Sequence, residues 1–294
     1  MQYKDCYKWG VEQLETAGVP EAGLGARLLL EYVCGTTRND LLVHGEREVA
    51  EDMVQKYQEK IGLRATRIPL QHITGEQEFM GLSFLVNEHV LIPRQDTEIL
   101  VEQVLKVLKP GMRILDMCTG SGCILISLLA LSKECMGTGV DLSAKALAVA
   151  EKNSVRLLGV TGNGDSTGGI LKTGGEKVSW LQSDLFENVA GDYDVIVSNP
   201  PYIRRDVIRG LMPEVRDHEP MMALDGTEDG LFFYRKIVSQ VADFLKPGGY
   251  LFFEIGHDQG REVEILLKDN KFTEVKVIQD YAGQDRVVCG RREE

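Results

Sequence analysis

The sequence predicts an α/β protein: a Rossmann-like, mostly parallel sheet covered by helices on both faces, closed by an antiparallel hairpin and preceded by a small helical domain and a β-hairpin linker. Three observations carry this. Residues 1 to about 65 show helical periodicity; after Pro110-Gly111 short apolar runs alternate with helical stretches; and the last two apolar runs flank a turn, Asp280-Tyr281-Ala282-Gly283. The length of 294 residues suggests two domains at ~100–200 residues each. With 43% hydrophobic and 27% charged residues there is material for a real core, which excludes wholesale disorder.

In chain order, Pro20-Glu21 is a helix start, and Leu24, Leu28, Leu29 and Val33 form one face behind it. Met53, Tyr57 and Ile61 repeat the pattern at four-residue spacing. No side chain in this stretch suggests chemistry, so residues 1–67 are expected to be a helical domain that recognises a substrate. Residues 68–94 predict the β-hairpin linker: Phe79 to Val86 is apolar with aromatics and a glycine, and Val90-Leu91-Ile92 follows a polar break. A helix then opens near Pro93-Arg94-Gln95, with Asp96 or Thr97 as its cap and Ile99, Leu100, Val104, Val107 and Leu108 on its face.

Residues 95–294 are expected to hold the sheet. Its candidate strands are 113–117, 137–141, 177–182, 193–198, 250–255, 273–278 and 286–290. The segment 159–175 is rich in glycine with Thr, Ser, Asn and Asp. No apolar periodicity survives there, which predicts a flexible surface loop and not a phosphate site.

Charge and cysteine usage narrow the partners. There are 45 acidic against 33 basic side chains, a net charge of −12, which opposes a surface built to neutralise phosphates. No direct nucleic-acid partner is expected. Cys6, Cys34, Cys118, Cys123, Cys135 and Cys289 are scattered, without a Cys-x-x-Cys pair or nearby histidines, so neither a metal site nor a disulfide framework is expected. The longest apolar run, Ile124 to Leu131, is interrupted at Ser127 and falls far short of the ~20 residues that span a bilayer. The first residues have no signal or transit character. These features predict a cytoplasmic protein with reduced thiols and no membrane association.

Two loops carry the chemistry. Between the first strand of the sheet and the next helix lies Cys118-Thr119-Gly120-Ser121-Gly122; small residues there let backbone N–H groups approach a ligand at a helix N-terminus. Asp141 ends the next strand, where a carboxylate accepts the hydroxyls of a ribose. A dinucleotide wants a third glycine, but that position is Leu125. S-adenosylmethionine (SAM) needs only room for a methionyl tail and an adenosine. Asp184 ends the third strand; it is placed to accept from an adenine amino group, flanked by Leu185 and Phe186, or simply to cap a helix.

Asn199-Pro200-Pro201-Tyr202 follows the buried run Tyr193 to Ser198. In a doubly wound sheet the first and fourth strands are neighbours at the switch point, so both loops should face one crevice. The pattern suits a planar NH₂ group whose lone pair is delocalised. The Asn199 oxygen accepts one hydrogen, the Pro200 carbonyl the other, Pro201 stiffens that carbonyl, and Tyr202 offers a face for stacking.

These residues resemble the release-factor glutamine methyltransferases (the PrmC/HemK family). The likeness runs from about residue 20 onward through Pro69 to Gly75, Ile92 to Glu98, Asp116 to Gly122, Asn199 to Tyr202, Ala223 to Leu231 and Asp280 to Arg286. It implies a class I SAM-dependent methyltransferase domain, with a class 1 peptide chain release factor as protein substrate. The implied acceptor is the side-chain amide nitrogen of the glutamine in its Gly-Gly-Gln tripeptide. By position, Cys118 to Gly122 and Asp141 hold SAM, Leu185 lies beside the adenosine, and Asn199 to Tyr202 hold the glutamine, with Asn199 touching both ligands. Cys118 replaces a usual glycine, Leu185 a frequent tryptophan, Gln95 a usual proline and His72 a usual tyrosine. Two alternatives are an adenine N6-methyltransferase of DNA or RNA, since adenine presents a similar NH₂, and an inactive SAM-binding interaction protein.

Overall fold

The computed structural model describes residues 1–159, 172–174 and 177–293. The chain divides into two compact units, one of residues 1–76 with 212–218, the other of residues 77–211 with 219–294.

The first unit contains helices α1 (Tyr3–Thr16), α2 (Ala22–Cys34), α3 (Arg38–Val43), α4 (Glu51–Ala65) and α5 (Leu70–Thr74). Its core includes Tyr3, Cys6, Leu14, Leu29, Leu30, Tyr57 and Ile61. The buried face of α2 is Ala22, Gly25, Ala26, Leu29 and Leu30, whereas Leu24 is 42% exposed. This corrects the face expected from Leu24, Leu28 and Val33. Small residues on α2 admit close helix packing, and apolar size alone misjudges such a face. Gly10 on α1 shows the same economy, since a Cβ there would lie 1.9 Å from the Tyr57 hydroxyl oxygen. The segment Met212–His218 belongs to this unit. Its Glu214 receives Arg67 Nε at 2.8 Å, Arg67 Nη2 at 2.7 Å and Arg64 Nη2 at 2.8 Å.

In the second unit a hairpin precedes the sheet: β1 (Glu76–Phe79) and β2 (Leu82–Leu85). The turn falls at Met80-Gly81, both with positive φ (52° and 73°), the conformation that fits the twist of a two-residue hairpin. The expected single strand over 79–86 is therefore two strands, and Val90 to Ile92 forms none. Phe79 and Phe84 pack edge to face at 6.0 Å. Helix α6 (Asp96–Leu105) buries Ile99, Leu100, Val101 and Val104. Its N-cap is Gln95, without a side-chain bond, so neither Asp96 nor Thr97 caps it. Thr97 is buried instead.

The remaining path is β3 (Arg113–Met117), α7 (Cys123–Leu131), β4 (Met136–Asp141), α8 (Ala144–Leu158), β5 (Lys172–Gly174), β6 (Val178–Gln182), β7 (Tyr193–Ser198), α9 (Arg205–Ile208), α10 (Pro213–Arg216, in the first unit), α11 (Met221–Leu224), α12 (Phe232–Gln240), β8 (Leu245–Glu254), α13 (Gly260–Asp269), β9 (Phe272–Gln279) and β10 (Asp285–Arg292). The sheet order is β5-β6-β4-β3-β7-β8-β10-β9. Strands β6, β4, β3, β7 and β8 pair in parallel, and β10 runs antiparallel to both β8 and β9. The closing antiparallel hairpin is present, with its second strand inserted beside β8 instead of at the edge. The register breaks between Tyr193 and Val195 opposite β8, so Pro247-Gly248-Gly249 bulge out and β8 begins earlier than its apolar run. One core cluster contains residues of α6, α7 and α8; the other contains residues of α12 and α13. Helix α7 is buried almost all round, which accounts for the apolar run 124–131.

Of the glycine-rich segment, residues 160–171 and 175 lie outside the described residues. Lys172–Gly174 pairs antiparallel with β6, a strand not expected there. Backbone pairing on an edge needs no apolar pattern. Among the described residues no helix is long and apolar enough to cross a membrane.

Candidate active site

The parallel register brings the two chemical loops together. Met117 of β3 pairs with Ser198 of β7, and Ser198 Oγ donates to the Met117 carbonyl at 2.7 Å. Cys118 and Asn199 therefore leave neighbouring strand ends side by side. Above them lies a cavity of about 430 Å³, within the range of small-molecule sites. Cys118, Thr119, Gly120, Ser121, Asp141, Asp184, Leu185, Asn199 and Pro201 all line it. Gly122, Pro200 and Tyr202 are not among the lining residues.

Each loop position has a local reason. Cys118 adopts φ 63°, a left-handed conformation costing a non-glycine residue ~1–2 kcal/mol; glycine would sit there freely. Its thiol is pushed up in pKa by burial, with Asp141 and Asp116 adding to the effect. Gly122 combines φ 78° with a close approach, since a Cβ there would stand 2.7 Å from the Trp180 ring. Asp141 accepts the Gly120 N–H at 2.9 Å through Oδ2 and the Ser143 N–H at 2.9 Å through Oδ1. It thus braces the loop and keeps a further acceptor site on each oxygen. Burial raises its pKa against those backbone bonds.

Asp184 is exposed at the rim, and no helix follows it for it to cap. Leu185 lines the cavity with φ 47°. Phe186 does not flank it as expected; its ring stacks on Phe244 at 4.6 Å in the core. Asn199 lines the cavity, and its carboxamide has no hydrogen-bond partner among the described residues. Tyr202 turns its hydroxyl to Glu254 Oε1 at 3.4 Å and packs against the core. The phenyl ring that lines the cavity is that of Phe233.

Sequence reasoning missed further lining residues: His89, Arg94, Thr97, Met221, Met222 and Phe233. Arg94 pairs with the buried Glu219. It also missed two buried acids. Asp116 is pushed up to about 7 by burial, with Thr119 and the Leu125 N–H opposing and Asp141 adding. Glu254 is likewise pushed up to about 7 by burial, against Thr97 and Arg286. A single acid inside an apolar strand run, as at Asp116 and Glu254, is the signal that could have found both.

A parallel sheet of this strand order, closed by an antiparallel pair and carrying an acid-flanked cavity at its carboxyl edge, defines a SAM-dependent methyltransferase domain. A family profile described as "PrmC N-terminal domain" matches residues 5–75, and one described as "Methyltransferase small domain" matches residues 94–211. The chain is 39% identical to the release factor glutamine methyltransferase of Fusobacterium nucleatum subsp. nucleatum, over 98% of this chain and 78% of that protein. It is 39% identical to that of Caulobacter vibrioides over 95% and 92%. A methyltransferase structure from Pyrococcus furiosus shares the fold, with TM-score 0.51 and 16% identity over 81% of this chain and 98% of that one. The chain belongs to the release factor glutamine methyltransferase family.

Proposed function

We propose that this chain methylates the side-chain amide nitrogen of the glutamine in the Gly-Gly-Gln tripeptide of class 1 peptide chain release factors, with SAM as methyl donor, in the cytoplasm. The observation that carries the reading is Asn199, which lines the cavity together with Asp141 and Cys118 and whose carboxamide has no protein partner among the described residues. A half-buried carboxamide on a cavity wall with no protein partner is available as an acceptor for a ligand.

The residues present fit SAM. Gly120 has φ 55° and open space where a Cβ would point, Asp141 retains acceptor capacity for ribose hydroxyls, and Leu185 and Asp184 line the same cavity, available to an adenine. Bound SAM supplies an electrophilic sulfonium methyl. The chain's own residues then hold the nucleophile. Asn199 Oδ1 accepts one N–H of the glutamine amide, and the Pro200 carbonyl, stiffened by Pro201, accepts the other. As positive charge grows on that nitrogen both bonds strengthen, toward the ~1.5–3 kcal/mol of a charge-assisted bond. Tyr202 anchors the segment through its packing and hydroxyl. No general base is needed, because the alkylated nitrogen would be acidic and would give up its proton to water late. The helical residues 1–67 serve to recognise the intact protein substrate.

Mass spectrometry of release factor after incubation with SAM tests this, with the added methyl expected on the Gly-Gly-Gln glutamine. Asn199→Ala should leave SAM affinity nearly unchanged while cutting turnover by orders of magnitude. Equal loss of both would make Asn199 structural.

A further inference from the structure

The segment Asn199 to Tyr202 is a stiff rod. Two proline rings fix their own φ and restrict the residue before each, so few torsions separate Ser198 from Tyr202. One end is fixed by the sheet, where Ser198 pairs with Met117. The other is fixed by a buried side chain far along the chain. Gln259 Nε2 donates to the Tyr202 carbonyl at 3.0 Å and to the Gly230 carbonyl at 3.3 Å. Its Oε1 accepts the Gly256 N–H at 2.9 Å; the Tyr234 hydroxyl, which donates to the Glu254 carbonyl at 2.9 Å, lies 3.4 Å away. The amide's donors and acceptor are each matched to the opposite kind of group, which fixes its orientation.

Two glycines close the grip. A Cβ on Gly230 would stand 2.4 Å from the Tyr202 carbonyl oxygen, and one on Gly226 would stand 2.7 Å from the Tyr202 Cα. Only bare backbone fits over Tyr202 at both points. The bonds Ile203 N–H to Leu224 carbonyl at 3.0 Å and Gly226 N–H to Ile203 carbonyl at 2.8 Å continue the clamp. Asp225, between them in sequence, lines the cavity.

We propose that Gln259 is a positioning residue for the transfer: by holding the Tyr202 carbonyl between Gly226 and Gly230, it sets the direction in which Asn199 and Pro200 present their acceptor oxygens. It rests on the reading of Asn199 and Pro200 given above. With one end released the rod pivots, and a small angular error there becomes a displaced acceptor. Misplacement of about 1 Å costs roughly 10²-fold in rate.

The test is Gln259→Met in the full-length chain, assayed with SAM and release factor. Turnover is expected to fall roughly 10²-fold while SAM affinity by calorimetry stays within about two-fold of wild type. Hydrogen exchange at the Tyr202 and Ile203 amides should accelerate while β3 is unchanged. Gly230→Ala should reproduce this pattern, because its Cβ displaces the same carbonyl. Wild-type-like turnover in Gln259→Met overturns the proposal, and so does a parallel loss of SAM affinity and turnover. If the wild-type chain transferred nothing to release factor, the substrate reading would fall, and unchanged exchange at Tyr202 in the variant would separately overturn the clamp.

Discussion

Both units bury a glutamate, and the two carboxyls are shifted in opposite directions. Glu214, in the helical unit, receives three N–H groups from Arg64 and Arg67. Burial pushes its carboxyl up, but the two guanidinium groups outweigh it and hold it down at about 2. Glu254, in the sheet unit, is reached by hydroxyls, and burial leaves it at about 7. Asp116 repeats the second case with Thr119. Burial therefore does not fix the charge of an acid; the donors built around it do.

Removing Glu214 is the most severe way to break the contrast. Glu214→Ala leaves two arginines facing a lost anion, and unfolding of the helical unit should become easier by about 3–5 kcal/mol. Chemical denaturation followed through Trp9, with Trp180 replaced by Phe, measures it. A loss below about 1 kcal/mol would mean the cluster behaves as a surface pair.

The pH arms should separate next. Glu254 has a raised pKa, so its contribution is complete below the ordinary value of 4.5 and is lost as pH rises through about 7. Glu214 is depressed, so its contribution is complete above 4.5 and is lost as pH falls toward about 2. Glu254→Gln should flatten the decline of sheet-unit stability between those upper limits, by on the order of 2 kcal/mol at pH 8. Melts read through Trp180 across pH 5 to 8, in a Trp9→Phe background, check this (both pH limits being roughly the window given by the shift). Parallel curves for variant and wild type would remove Glu254 as the cause.

The smallest effect sharpens the comparison through backbone strain. Each unit holds a left-handed non-glycine residue at a working position, Arg67 at φ 71° and Cys118 at φ 63°. Cys118→Gly should change stability by about 1 kcal/mol or less, relief of strain being offset by the entropy of an extra glycine. Arg67→Gly should lose far more, because it forfeits the bonds to Glu214. Comparable melts for both variants would show that Arg67 contributes little through its charge.

Much of the sheet was legible because strand signals are local. Arg113–Met117 and Tyr193–Ser198 coincide with their apolar runs, and Asn199 and Asp141 stand out as polar residues at strand ends. The hairpin turn was misplaced because Gly81 was read as part of a strand, although Met80-Gly81 is the turn itself. The face of α2 was misjudged because Ala22, Gly25 and Ala26 bury small side chains that carry no strong apolar signal. The remaining lining of the cavity was not legible, since Arg94, the adjacent Met221 and Met222, and Phe233 come from three distant parts of the chain.

By itself the sequence determined the order and type of most strands of the sheet, the loop that ends in Gly122, and the Asn199 to Tyr202 segment. Those follow from side-chain period and from backbone restrictions that act within a few residues. Only the tertiary structure decided which acids stay charged, why Gly226 and Gly230 must be bare, and that Gln259 reaches Tyr202. Desolvation, ion pairing and close backbone approach depend on groups brought together from distant parts of the chain.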